Sequence, residues 1–113
     1  MRHEFEKKMH IISDLLAYGN ARGADELEMS ILKKEDRTIF TVRARPTTLT
    51  EQDLEKLLGD LNAPRQHEVE QNYWGLSGES QSYSELTLVG MMSDEAQVSY
   101  DGRTLTIILE RYL

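Results

Sequence analysis

Asp101-Gly102 separates two runs rich in β-branched and apolar residues, 96–100 and 103–111, and no other pair in the chain restricts the fold more. Asp-Gly takes up the positive φ of a tight turn at little cost, so the flanking runs are expected to form an antiparallel hairpin. A second hairpin is written nearer the other end. Leu27, Met29 and Ile31 alternate with Glu28 and Ser30, the pattern of a half-buried strand. Lys34-Glu35-Asp36-Arg37 supplies a polar turn, and Ile39, Phe40, Thr41, Val42 and Ala44 carry the return strand.

Helical spacing fills the rest. Phe5, Met9, Ile12, Leu15, Leu16 and Gly19 recur every three or four residues, which predicts a helix from 4 to about 22, closed by Gly23. Pro46-Thr47-Thr48 ends the second strand, and Thr50 is a good N-cap for a helix carrying Leu54, Leu57, Leu58 and Leu61. Asn62-Ala63-Pro64 interrupts, and a further helix over 65–76 would place Val69, Tyr73 and Leu76 on one side. After a loop over 77–84, Ser84 caps a short helix with Leu86, Leu88, Val89 and Met92; Met91-Met92 reads as core packing. Four strands in two hairpins, with helices before and between them, predict an α+β fold: a two-layer α/β sandwich with helices on one face of the sheet. A length of 113 residues suits one domain over 1–113.

The charge balance narrows the partners. Thirteen Lys and Arg against twenty Asp and Glu leave a net charge of −7, and the densest basic run, Lys33-Lys34, sits beside Glu35-Asp36. Nucleic-acid binding depends on clustered cations, so no nucleic-acid partner is expected. The same charge repels a free nucleotide unless a local site offsets it. No apolar run approaches the roughly 20 residues of a membrane helix, and the charged opening M-R-H-E-F-E-K-K is not a secretory signal. The expected location is the cytoplasm. With no cysteine, disulfides and thiolate metal sites are excluded.

Four segments carry a family likeness. They are 15–31 (L-L-A-Y-G-N-A-R-G-A-D-E-L-E-M-S-I), 42–54 (V-R-A-R-P-T-T-L-T-E-Q-D-L), 83–88 (Y-S-E-L-T-L) and 101–107 (D-G-R-T-L-T-I). In order and spacing they resemble the Asn box, the Asp-x-Gly-x-Gly box, the phosphate lid and the closing hairpin of the histidine-kinase-type (GHKL) ATPase domain. Arg22-Gly23-Ala24-Asp25 resembles the exit from the Asn box. The resemblance implies the same two-layer sandwich and a nucleotide cleft, but the chemistry-bearing positions differ. The family Asn, whose oxygen holds Mg²⁺, falls on Tyr18; a phenol is a poor ligand for a hard cation. Asn20 lies about 200° further round a helix and would face away. The family Asp, which accepts a bond from the adenine amino group, falls on Ala44. Losing such a charge-assisted bond costs roughly 1.5–3 kcal/mol, about ten- to a hundredfold in affinity. The two glycines fall on Pro46 and Thr48, which cannot let a ligand approach as closely. Of the lid, only the leucine positions, Leu86 and Leu88, are kept.

The resemblance therefore implies a vestigial cleft at Tyr18, Ala44, Pro46, Thr48 and Leu86, with no catalytic residue and no cofactor. The expected role is a non-catalytic signalling or protein-interaction module whose partner is another protein. One alternative is an active sensor histidine kinase or anti-sigma-type kinase domain binding Mg-ATP through altered residues. Another is a small-molecule binder using the vacated cleft. Arg65, Tyr73 and Trp74 are of the types enriched at binding hot spots and are the candidate interaction residues, although the favoured reading of Tyr73 and Trp74 is that they close the core over the vacated nucleotide cleft. His3, Glu6 and His10, and His67 with Glu70, have metal-like helical spacing but lack the further ligands a site needs, so no metal is expected.

Overall fold

The computed structural model describes residues 4–63 and 85–112. Helix α1 (Glu4–Ala21) ends where the sequence places the stop. Gly23 adopts φ +96°, the Ala24 amide bonds back to the Gly19 carbonyl, and the Gly23 amide bonds to that of Asn20. A left-handed residue closing the helix with this pair of bonds satisfies carbonyls that would otherwise be orphaned. The buried stripe is Lys8, Ile11, Ile12, Leu15 and Gly19, so Phe5 and Met9 lie outside it, contrary to the spacing argument. The cause is at the first turn. Both Glu4 carboxylate oxygens accept bonds, each 3.0 Å, from the buried Arg111 guanidinium, which turns that side of the helix inward.

Strands β1 (Glu26–Lys33) and β2 (Arg37–Arg45) form the first hairpin, and β3 (Glu95–Tyr100) and β4 (Leu105–Tyr112) the second. The sheet order is β1-β2-β4-β3 with every pair antiparallel, so the hairpins join through β2 and β4, where Val42 pairs with Ile107. The second turn is longer than expected. Tyr100 pairs with Leu105, leaving four residues in the loop, because the Asp101 carboxylate accepts the amides of Arg103 and Thr104 and holds them out of the ladder. Gly102 supplies the positive φ, +94°.

Alternation sorts the sheet into two faces. Phe40, Val42 and Ala44 of β2 and Leu105, Ile107 and Leu109 of β4 are buried under the helices. Among the described residues no helix lies on the other face, which carries Ile39, Thr41, Arg43, Thr106 and Ile108. The edge strand β1 is more exposed than its pattern predicts: only Ile31 is half-buried.

Helix α2 (Glu51–Leu61) starts at the expected cap. The Thr50 hydroxyl accepts from the Asp53 amide and the Asp53 carboxylate accepts from the Thr50 amide. Leu57 and Leu61 enter the core, whereas Leu58 faces out. Helix α3 (Glu85–Met91) contributes Leu88, Val89 and Met91, followed by Met92. It crosses α2 so closely that a Cβ built on Gly90 would lie 2.3 Å from the Asp60 carbonyl oxygen. The described residues thus make an α+β fold of one four-stranded antiparallel sheet and three helices around one core. The expected helix over 65–76 and the cap at Ser84 lie outside them.

Candidate functional site

The C-terminal half of α1 meets α2 and α3 at a cleft of about 140 Å³ lined by Tyr18, Arg22, Asp53, Lys56, Leu57, Asp60 and Leu86. Tyr18 and Arg22 are one helical turn apart, so both reach the same side of α1. The Arg22 guanidinium sits 5.2 Å from the centre of the Tyr18 ring and 3.3 Å from the Asp53 carboxylate. One turn further along α2, Lys56 pairs with Asp60 at 3.1 Å. Each cation lining the cleft is therefore paired with a carboxylate lining it.

The electrostatics follow from these pairs. Burial is the main cause that raises the Tyr18 phenol above its ordinary range, with Arg22 opposing it. Asp53 is held below the usual carboxylate range, first by the Thr50 amide, then by the Thr50 side chain, with Arg22 adding a smaller effect. The carboxylate that starts α2 is thus the one that tethers α1 to it.

Of the five positions assigned to a vestigial cleft, Tyr18 and Leu86 share this one. Ala44 does not line it. It lies in the core beneath Gly19, where α1 comes so near β2 that a Cβ on Gly19 would meet the Ala44 Cβ at 2.8 Å and Leu27 Cδ2 at 2.9 Å. Pro46 and Thr48 occupy the connection from β2 to α2 and are not among the lining residues. That connection is stapled to the second hairpin. The Thr47 amide and hydroxyl both donate to the Arg103 carbonyl, at 2.8 and 3.1 Å, and the Tyr100 hydroxyl donates to the Thr47 carbonyl at 2.9 Å. Asn20 is exposed, away from the cleft, as the helical angle requires.

The sequence alone does not single out Arg22, Asp53, Lys56 and Asp60 as site residues. The T-E-Q-D start of α2 does show that Asp53 occupies a capping-box position, and Lys56 and Asp60 are at pairing distance on a helix. What no local pattern shows is that Arg22 arrives opposite Asp53. The candidate interaction residues Arg65, Tyr73 and Trp74 lie outside the described residues, as do His3, His67 and Glu70. Among the described residues no three His, Cys, Asp or Glu side chains form a group able to hold a metal ion, and no helix is long and apolar enough to cross a membrane.

No protein-family model matches the sequence, and no curated protein is detectably similar to it.

Proposed function

We propose that the chain is a degenerate histidine-kinase-like ATPase-fold domain of a cytoplasmic signalling system, which acts by binding another protein and no longer handles nucleotide. The observation that carries this reading is the close seating of α1 on β2. With Gly19 and Ala44 in near contact, no space remains at the position where the resemblance puts an adenine-binding carboxylate. Two further features support it. The cleft of about 140 Å³ is smaller than the roughly 300–1,000 Å³ of usual ligand sites. Its two cations are already neutralised by Asp53 and Asp60, which leaves no local excess of positive charge for a triphosphate on a chain of net charge −7. The protein-binding half of the proposal is supported by large apolar side chains left in solvent: Phe5, Met9, Leu27, Met29, Leu32 and Leu58.

Calorimetric titration with ATP and Mg²⁺ tests the reading directly. The expected result is no saturable heat at micromolar nucleotide. Micromolar binding would return the domain to the class of working ATPase-fold kinases.

A further inference from the structure

The helix layer stops one strand short of the sheet's edge. Leu27, Met29 and Ile31 share the helix-side face with their pairing partners Ala44, Val42 and Phe40. Those partners are at most 1% exposed, yet Leu27 and Met29 remain 39% and 41% exposed. On α1, Phe5, Met9, Ile12 and Leu16 form one stripe at four- and three-residue spacing, beside Gly19, which rests on Leu27. Ile12 is buried, whereas Phe5 is 70% exposed. The result is an apolar seam along β1, next to a strand whose outer edge is unpaired among the described residues. Edge strands commonly carry a proline, a bulge or an inward-pointing charge that blocks pairing. Here all eight residues, Glu26–Lys33, pair with β2 in unbroken register, no proline is among them, and the one charge on the helix-side face, Lys33, stands at the strand's last position.

We infer that this edge pairs with β1 of a second copy of the chain, antiparallel, about a two-fold axis through Met29. The strand's own charge order selects that occupant. An acidic residue, Asp25, stands at its start and a basic one, Lys33, at its end; Glu26 and Glu28 are already paired with Arg45 of the same chain, at 3.7 and 2.8 Å. Antiparallel self-pairing brings opposite signs together, and parallel pairing brings like signs together. Directly opposed residues must share a face, so the register can shift only in steps that keep the pleat. With Met29 on the axis, Leu27 lies opposite Ile31 of the second copy and Asp25 lies opposite Lys33. Moving the axis to Ser30 would instead oppose Leu27 with Lys33. The favoured register joins two four-stranded sheets into one and sets the two α1 helices side by side over the seam, where Phe5, Met9 and Leu16 of each copy lose contact with water. The inference rests on the β1 edge and the apolar stripe of α1 beside it, residues that also support the protein-binding half of the proposed function, and is independent of the nucleotide reading.

Sedimentation velocity of the full chain from micromolar to millimolar concentration tests it, with circular dichroism confirming that each variant folds. The wild type should approach twice the 13.0 kDa chain mass as concentration rises. Lys33→Asp sets like charges opposite each other at both ends of the seam and should weaken pairing roughly tenfold. Adding Asp25→Lys to that variant should restore it. Met29→Lys, at an already exposed position, should weaken pairing on the order of a hundredfold. A wild type that stays monomeric at every concentration overturns the inference. So does a dimer that survives Met29→Lys, or a charge-swapped double variant that pairs no better than Lys33→Asp.

Discussion

Gly19 and Ala44 show how little room one pair of small residues leaves. Because a Cβ on Gly19 would already lie 2.8 Å from that of Ala44, a larger side chain at 44 has nowhere to go. Ala44→Asp, the change that puts back the residue type expected of a working nucleotide site, should therefore bury an unpartnered carboxylate. It should cost more than about 3 kcal/mol in urea unfolding and give no ATP binding. A variant that stays as stable as wild type and gains nucleotide affinity would show that the cleft still reaches the strand. Arg111 poses the opposite problem, a cation taken into the core. It survives there because Glu4 accepts two of its N–H groups and the Met92 carbonyl accepts a third at 2.6 Å. Glu4→Gln keeps the shape but removes the charge. Since Glu4 itself is partly solvated, the expected loss is about 1–2 kcal/mol, less than for a fully buried pair. The pair is not legible in the sequence, because Glu4 and Arg111 stand 107 residues apart and only the packing of α1 on the sheet brings them together.

The elements themselves were written more openly. Thr50 with Asp53, Gly23 after α1 and the Asp101-Gly102 turn all act within a few residues of chain, so their geometry follows from local chemistry. Even here the limits are instructive. The Asp101-Gly102 pair by itself predicts a two-residue turn, yet the Asp101 side chain draws in two more amides, and that competition with the ladder depends on the backbone path. Helix crossings were less visible still. Nothing around Gly90 marks it as the point where α3 presses on the backbone of α2 at Asp60 and Leu61. A flexible side chain could yield to an added methyl, but a carbonyl held in a helix cannot. Gly90→Ala should thus lose about 3 kcal/mol despite alanine's better helix propensity, as measured by the midpoint of thermal unfolding. An unchanged midpoint would mean that α2 and α3 do not cross there.

For the molecule as a whole, pH balances two effects of opposite sign. The net charge of −7 makes the folded chain repel itself, and acidification toward the pI near 4.9 relieves that. Against it stand Glu4, Asp36, Asp53 and Asp101, all held below the ordinary carboxylate range by guanidinium or backbone N–H partners: Arg111 for Glu4, Arg37 for Asp36, the Thr50 amide for Asp53, the Thr104 amide for Asp101. A carboxyl whose pKa is lower folded than unfolded adds stability above its unfolded value, and this is lost as pH falls through the folded one. Urea midpoints should therefore hold or rise slightly from neutral pH to about 5, then drop below about 4. A midpoint that keeps rising below about 4 would mean these partners contribute nothing. The pairing of strands into hairpins, the caps and the segregation of apolar positions onto faces could all be derived from the chain's order of residues, because each depends on neighbours a few positions away. Which strand became the exposed edge, how α1 rolled to send Phe5 outward, and how Arg22 came to face Asp53 were decided by packing. Those outcomes depend on how whole elements share one core, and no segment carries that information alone.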